Sequence, residues 1–225
     1  MVVYGKQIFL HVLKKHPQLI QKIYLSKEID KKLFSKVASL NKDIIRLDNK
    51  KAQALARGGN HQGYFLEIDD FEYTPLEDMK RSQFLLVLSG VTDVGNIGAM
   101  IRTAYALGVD GVILSGIKSI NSAAILRTSS GAMLDMPLTL FPDTLTLLNE
   151  LKQIKFFIYS ADMSGDDVRE VSFNQKKVLL LGSEGEGLSK KILNKSDKKI
   201  SIKMARDFDS LNVSVAFAIL CDRMR

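Results

Sequence analysis

Phe84-Leu-Leu-Val-Leu-Ser89-Gly-Val-Thr-Asp93-Val-Gly-Asn96-Ile-Gly98-Ala-Met-Ile-Arg102-Thr-Ala104 decides the fold class. It begins as a short continuous apolar run. Such a run fits a strand covered on both faces, as in a parallel sheet. A polar, Gly-containing turn follows and opens a helix expected over 97–107. Asn96 is suited to cap that helix, whose free N–H groups also attract anions. Arg102 lies about one and a half turns further on. The same order recurs downstream. Gly111–Leu114, Phe156–Tyr159 and Val178–Leu181 read as strands, and Lys199–Met204 as one more. Helices are expected at 121–130, 143–153, 188–194 and 211–224. Strands alternating with helices argue for an α/β domain on an open, mostly parallel sheet over 83–225.

Upstream lies a smaller alternating unit. Residues 6–16, 28–40 and 49–57 read as helices, and 20–25, 43–47 and 64–68 as strands. Residues 70–82 are acidic, hold Pro75 and lack periodicity, which marks a linker. The expected division is therefore a first domain over 1–69, a linker over 70–82 and a second domain over 83–225. Charge is uneven along this division. The net charge of +7 is distributed as +9 in residues 1–57, −5 in 58–80 and +3 in 81–225. A basic N-terminal block suits a polyanion such as RNA, although a merely solvated surface has the same composition.

The 225 residues are 46% hydrophobic and 25% charged, ordinary values for a water-exposed globular chain. No apolar run spans a bilayer and no signal-peptide pattern opens the chain, so a cytoplasmic location without a membrane is expected. The single cysteine, Cys221, sits in an apolar helical stretch and reads as an inert buried thiol. His11, His16 and His61 have no ligand spacing, so no metal is expected. The P-loop and dinucleotide fingerprints are missing, which disfavours a nucleotide-dependent enzyme.

Two further polar stretches interrupt apolar elements. In Leu181-Gly182-Ser-Glu184-Gly-Glu-Gly187-Leu188 a strand ends in a loop of glycines and acids. Open strand ends are where α/β sheets bind ligands, and the two acids would repel a pyrophosphate. In Ile202-Lys203-Met204 and Ser210-Leu211-Asn212, a polar pair precedes the apolar last helix. Ser210 alone reads as that helix's cap. Asn212, expected inside the first turn, is harder to place, because a helix interior disfavours Asn.

Asn96–Ala104, Leu181–Leu188 and Ile202–Leu220, in this order, resemble the three motifs of the SpoU (TrmH-like) RNA 2′-O-ribose methyltransferases of the SPOUT superfamily. Arg127-Thr-Ser-Ser-Gly131-Ala132 is also similar to the family. So is the N-terminal block, with Tyr4-Gly5 and His61-Gln62-Gly63, which looks like its small L30e-like substrate-binding domain. The resembling subgroup methylates a guanosine ribose in large-subunit ribosomal RNA. One position departs: Lys203 stands where the family usually has proline.

The resemblance implies S-adenosylmethionine (SAM) as methyl donor, a C-terminal trefoil knot, a homodimer and an RNA partner. It makes Arg102 the catalytic residue, with Asn96, Glu184, Ser210 and Asn212 around it. It assigns Leu181, Gly182, Ile202, Met204 and Leu211 to the donor site, mostly through backbone atoms. Two alternatives stay open on the sequence: a non-catalytic RNA-binding assembly factor with a vestigial donor pocket, and the same chemistry on transfer RNA.

Overall fold

The computed structural model describes residues 1–207 and 210–225. In chain order the elements are β1 (Val2–Tyr4), α1 (Lys6–Lys15), β2 (Ile20–Leu25), α2 (Lys31–Ala38), β3 (Asp43–Arg46), α3 (Asn49–Leu55) and β4 (Tyr64–Ile68). Then come α4 (Leu76–Met79), β5 (Phe84–Ser89), α5 (Val94–Ala106), β6 (Gly111–Ser115), α6 (Ser122–Thr128), β7 (Leu138–Phe141) and α7 (Thr144–Gln153). The chain closes with β8 (Phe157–Asp167), β9 (Lys177–Gly182), α8 (Lys190–Leu193), β10 (Lys198–Ser201) and α9 (Val213–Met224).

The chain forms two compact units. The first comprises Met1–Glu72 and Asn121–Gly131, the second Tyr73–Ile120 and Ala132–Arg225. The segment read as a linker is thus divided. Its C-terminal part belongs to the second unit, where Thr74 N donates to Leu138 O at 2.8 Å and Met79 is buried. Residues 121–131, read above with the second domain, fold into the first unit.

The first unit holds a four-stranded sheet in the order β1-β4-β2-β3. β4 runs antiparallel to β1 and β2, while β2 and β3 are parallel. Asp30 and Asp48 cap α2 and α3 through Leu33 N and Lys51 N. α6 packs on β1. There the Arg127 guanidinium lies over the Tyr4 ring, 4.8 Å from its centroid, and donates to the Tyr4 hydroxyl at 2.5 Å.

The second unit holds a six-stranded sheet in the order β10-β8-β9-β5-β6-β7, all parallel. Every residue of β5 and β6 is buried. Side chains alternate across a strand, so such continuous burial needs a cover on both faces. On one face Leu85, Val87, Ile113, Val178 and Leu180 pack with Leu147, Leu148 and Leu151 of α7. α9 packs against α5 and β9. Each fully buried leucine or valine contributes about 1.5–3 kcal/mol. Asp110 fixes the start of β5 by accepting from Gln83 N and Phe84 N at 2.7 and 2.8 Å.

Candidate active site

The strand order assembles the site. Outward from β5 the sheet continues to β6 and β7; outward from β9 it continues to β8 and β10. Ser89 of β5 is in register with Gly182 of β9, so the two following loops leave adjacent strand ends. Such a switch point is where open α/β sheets bind ligands.

Asp93 begins α5. Its backbone is extended, and its Oδ1 accepts from Asn96 N at 2.7 Å. The cap expected at Asn96 is therefore Asp93. Asn96 sits inside the first turn, and its side chain is released for another partner. That partner is Asn212: its Nδ2 donates to Asn96 Oδ1 at 3.1 Å and to Glu184 Oε1 at 2.6 Å. An amide N–H2 has two hydrogens. Both have an acceptor here, one on the first turn of α5 and one on the loop after β9.

The other end of the Asn212 amide holds α9. Its Oδ1 accepts from Ser214 N at 2.9 Å and from Ser214 Oγ at 2.6 Å. Asn212 is thus the cap of the last helix, and the helix starts at Val213. Both expectations for this stretch are corrected: Ser210 is not the cap, and Asn212 is not within the first turn. The awkwardness of a helical Asn disappears, because Asn is a favoured cap.

Glu184 is held by a tight loop. Ser183 and Gly187 form an antiparallel bridge, and Gly187 N donates to Ser183 O at 2.9 Å. The loop folds so closely that a Cβ on Gly182 would lie 2.2 Å from Gly187 C and 2.3 Å from Gly187 O. Only glycine fits there.

A cleft of about 140 Å³ lies nearby, lined by Ile202, Met204, Ser210 and Leu211, with Met163 and Leu220. Three residues assigned by resemblance to the donor, Ile202, Met204 and Leu211, therefore share one wall system, and Ser210 joins them. Leu181 is buried within β9, and Gly182 ends that strand. Met163, 66% exposed at this cleft, had no signal in the sequence, because it lies in the polar second half of β8. Lys203, the departure from the family, donates from Nζ to Gly165 O at 3.1 Å, and Ser201 Oγ donates to the same oxygen at 2.9 Å. These bonds fix the loop after β10 to β8, a restraint that a proline would supply through its ring.

Arg102 is exposed on α5. Ideal helix geometry puts it about 9 Å along the axis from Asn96 and about 120° around it. Cys221 is buried, and burial pushes its thiol up to about 12. Its role is packing.

The model of the SpoU rRNA Methylase family matches residues 83–222, and that of RNA 2′-O ribose methyltransferase substrate binding matches residues 2–74. An uncharacterized tRNA/rRNA methyltransferase of Borreliella burgdorferi is 34% identical over 80% of this chain and 86% of its own. The 23S rRNA (guanosine-2′-O-)-methyltransferase RlmB of Neisseria meningitidis is 29% identical over 99% of this chain and 94% of its own. Among solved structures, the SpoU methyltransferase AviRb of Streptomyces viridochromogenes, in complex with AdoMet, superposes with a TM-score of 0.80. It is 22% identical and covers 99% of this chain and 88% of its own, a likeness of fold.

Proposed function

The chain belongs to the SpoU rRNA methylase family and is an RNA 2′-O-ribose methyltransferase; from that premise we propose that SAM is its methyl donor and a guanosine ribose of large-subunit ribosomal RNA its target. The observation that carries this reading is the Asn212 amide joining Asn96 and Glu184 at the sheet's switch point. The guanosine is supported by the Neisseria relative, whose likeness spans nearly the whole chain.

A ribose 2′-OH is a weak nucleophile at neutral pH, so transfer depends on holding oxygen and methyl group in line. Ile202, Met204 and Leu211 hold the donor in the apolar cleft, with Leu181 and Gly182 offering backbone. Asn96, Glu184, Ser210 and Asn212 face the ribose. Arg102 positions the target phosphate and stabilises the reacting oxygen. Its guanidinium resists deprotonation, which makes it a poor general base. The first unit, Met1–Glu72 with Asn121–Gly131, takes the RNA, and the second, carrying the family's trefoil knot, performs the transfer.

The reading includes a homodimer in the cytoplasm. Tyr105 on α5 and Val215 and Ile219 on α9 are 42%, 48% and 38% exposed on two helices that pack together. A second copy of the chain would cover them. Among the described residues no helix is long and apolar enough to cross a membrane.

Mass-spectrometric mapping of ribose methylation, in RNA from cells with and without the gene, tests the target. One guanosine in large-subunit RNA is expected to lose its methyl group. Loss in transfer RNA would redirect the substrate. No loss anywhere, with no heat on titrating SAM, would leave an RNA-binding factor. Asn212→Asp tests the site. Asp caps a helix as well as Asn does, so α9 is expected to stay formed, read as unchanged helical circular dichroism. The new carboxylate would face Glu184, and methyl transfer is expected to fall about 100-fold. Unimpaired turnover would remove Asn212 from the site.

A further inference from the structure

β8 leaves its ladder at one place. On β10, Lys199 pairs with Ser160, and the next residue, Ile200, pairs with Asp166. Residues 161–165 of β8 thus pair with neither β10 nor β9. Bulges recur beside active sites, where they re-aim a side chain. This one brings Ala161, Asp162 and Met163 to the cleft that also holds Ile202, Met204, Ser210 and Leu211. The excursion is fixed at its far end. A Cβ on Gly165 would lie 2.5 Å from Ile200 N, so the backbone there is pressed onto β10. Ser201 and Lys203 both donate to Gly165 O.

Asp162 is half-buried. Its Oδ1 accepts from Ser164 N at 2.9 Å and from the Ser164 hydroxyl. Among the described residues Oδ2 has no hydrogen-bond partner, and no lysine or arginine pairs with Asp162. Its neighbours on β8 differ. Asp166 pairs with Lys198 at 3.1 Å and Asp167 with Arg169 at 2.5 Å. Of these three acids, the one that lines the cleft is the one without a cation.

A carboxylate among methionine, isoleucine and leucine side chains is weakly screened and attracts positive charge. SAM carries such a charge on its reacting sulfur. S-adenosylhomocysteine (SAH), the same molecule without the methyl group, has a neutral thioether there. When the methyl carbon bonds to the ribose oxygen, the C–S electron pair stays on sulfur and the hydroxyl gives up its proton. The sulfur's charge is then gone. Ser210, set against the ribose in the reading above, and Asp162 line the same cleft, so the atom that hands over the methyl group belongs between them. We propose that Asp162 recognises the sulfonium charge and is the residue by which the cleft tells SAM from SAH, holding the donor and releasing the spent product. The proposal rests on the SAM reading above.

Isothermal titration of the protein with SAM and with SAH tests it. Asp162→Asn removes the charge and keeps the shape, and the amide oxygen can still accept from Ser164. SAM affinity is expected to fall about tenfold, the effect of one weakly screened charge. SAH affinity is expected to stay within about twofold, which also shows that the cleft is folded. Asp166→Asn removes the same charge from outside the cleft and is expected to leave both affinities within about twofold. Equal losses for SAM and SAH in Asp162→Asn would assign the carboxylate to a group both ligands share, an ammonium or a hydroxyl, and would overturn the proposal. So would an unchanged SAM affinity, or the same loss in Asp166→Asn. Wild-type protein that binds neither ligand removes the donor reading itself. Binding of both, with equal losses in the variant, removes only the recognition of charge.

Discussion

Arg102→Lys is expected to lower single-turnover methylation by about 100-fold while leaving SAM affinity within about twofold. Lysine keeps the positive charge but loses the planar fork that grips a phosphate through two parallel bonds. A ribose displaced by about 1 Å from the in-line position suffices for a loss of that size. Arg102→Ala, which also removes the charge, should fall further and raise the apparent KM for RNA. Arg102 is exposed on α5, so neither change should lower the melting temperature much. The measurement is a rapid-quench transfer of labelled methyl with enzyme in excess. Near-full activity of the lysine variant would show that charge alone is required and would sink the positioning role.

Gly182→Ala should produce the largest loss of stability. The added Cβ would lie 2.2 Å from Gly187 C, 2.3 Å from Gly187 O and 2.7 Å from Leu188 N. All three are backbone atoms, and none can rotate away as a side chain would. Overpacking costs about 1–3 kcal/mol, and a backbone clash belongs at the upper end. For a chain of this length about 3 kcal/mol corresponds to a melting temperature about 6–12 °C lower. The relief available to the protein is to open the loop that carries Glu184, so SAM heat should weaken at least about tenfold. Gly185→Ala is the control, because nothing lies within 4 Å of its Cβ. Similar melting of wild type and Gly182→Ala would mean that the loop is looser than its geometry.

The sheet was largely legible in the sequence because its central strands are buried on both faces. The apolar runs over β5, β6 and β9 leave little choice of element. β1 and β7 escaped notice for different reasons. Val2–Tyr4 is too short to show a period, and Leu138–Phe141 stands between Pro137 and Pro142. β8 continues to Asp167, through polar residues, because it pairs with β10 across a register shift between Lys199 and Ile200. Residue types at the site were legible; their division of labour was not. Asp93 and Asn96 can each cap a helix, as can Ser210 and Asn212. Which of each pair does so depends on where the backbone leaves its extended conformation, which composition does not record. The choice matters, since the capping of α5 by Asp93 is what frees Asn96 to meet Asn212.

The course of residues 121–131 has an evolutionary consequence. The chain passes between its two compact units three times, after Glu72, Ile120 and Gly131. A recombination event that exchanged only the first 72 residues would leave α6 behind, with Ile125 and Leu126 fully buried against a surface no longer its own. It would also separate Tyr4 from Arg127. The RNA-recognition module is therefore not a cassette, and an exchange that keeps its core intact must carry an eleven-residue insert from the other half of the gene.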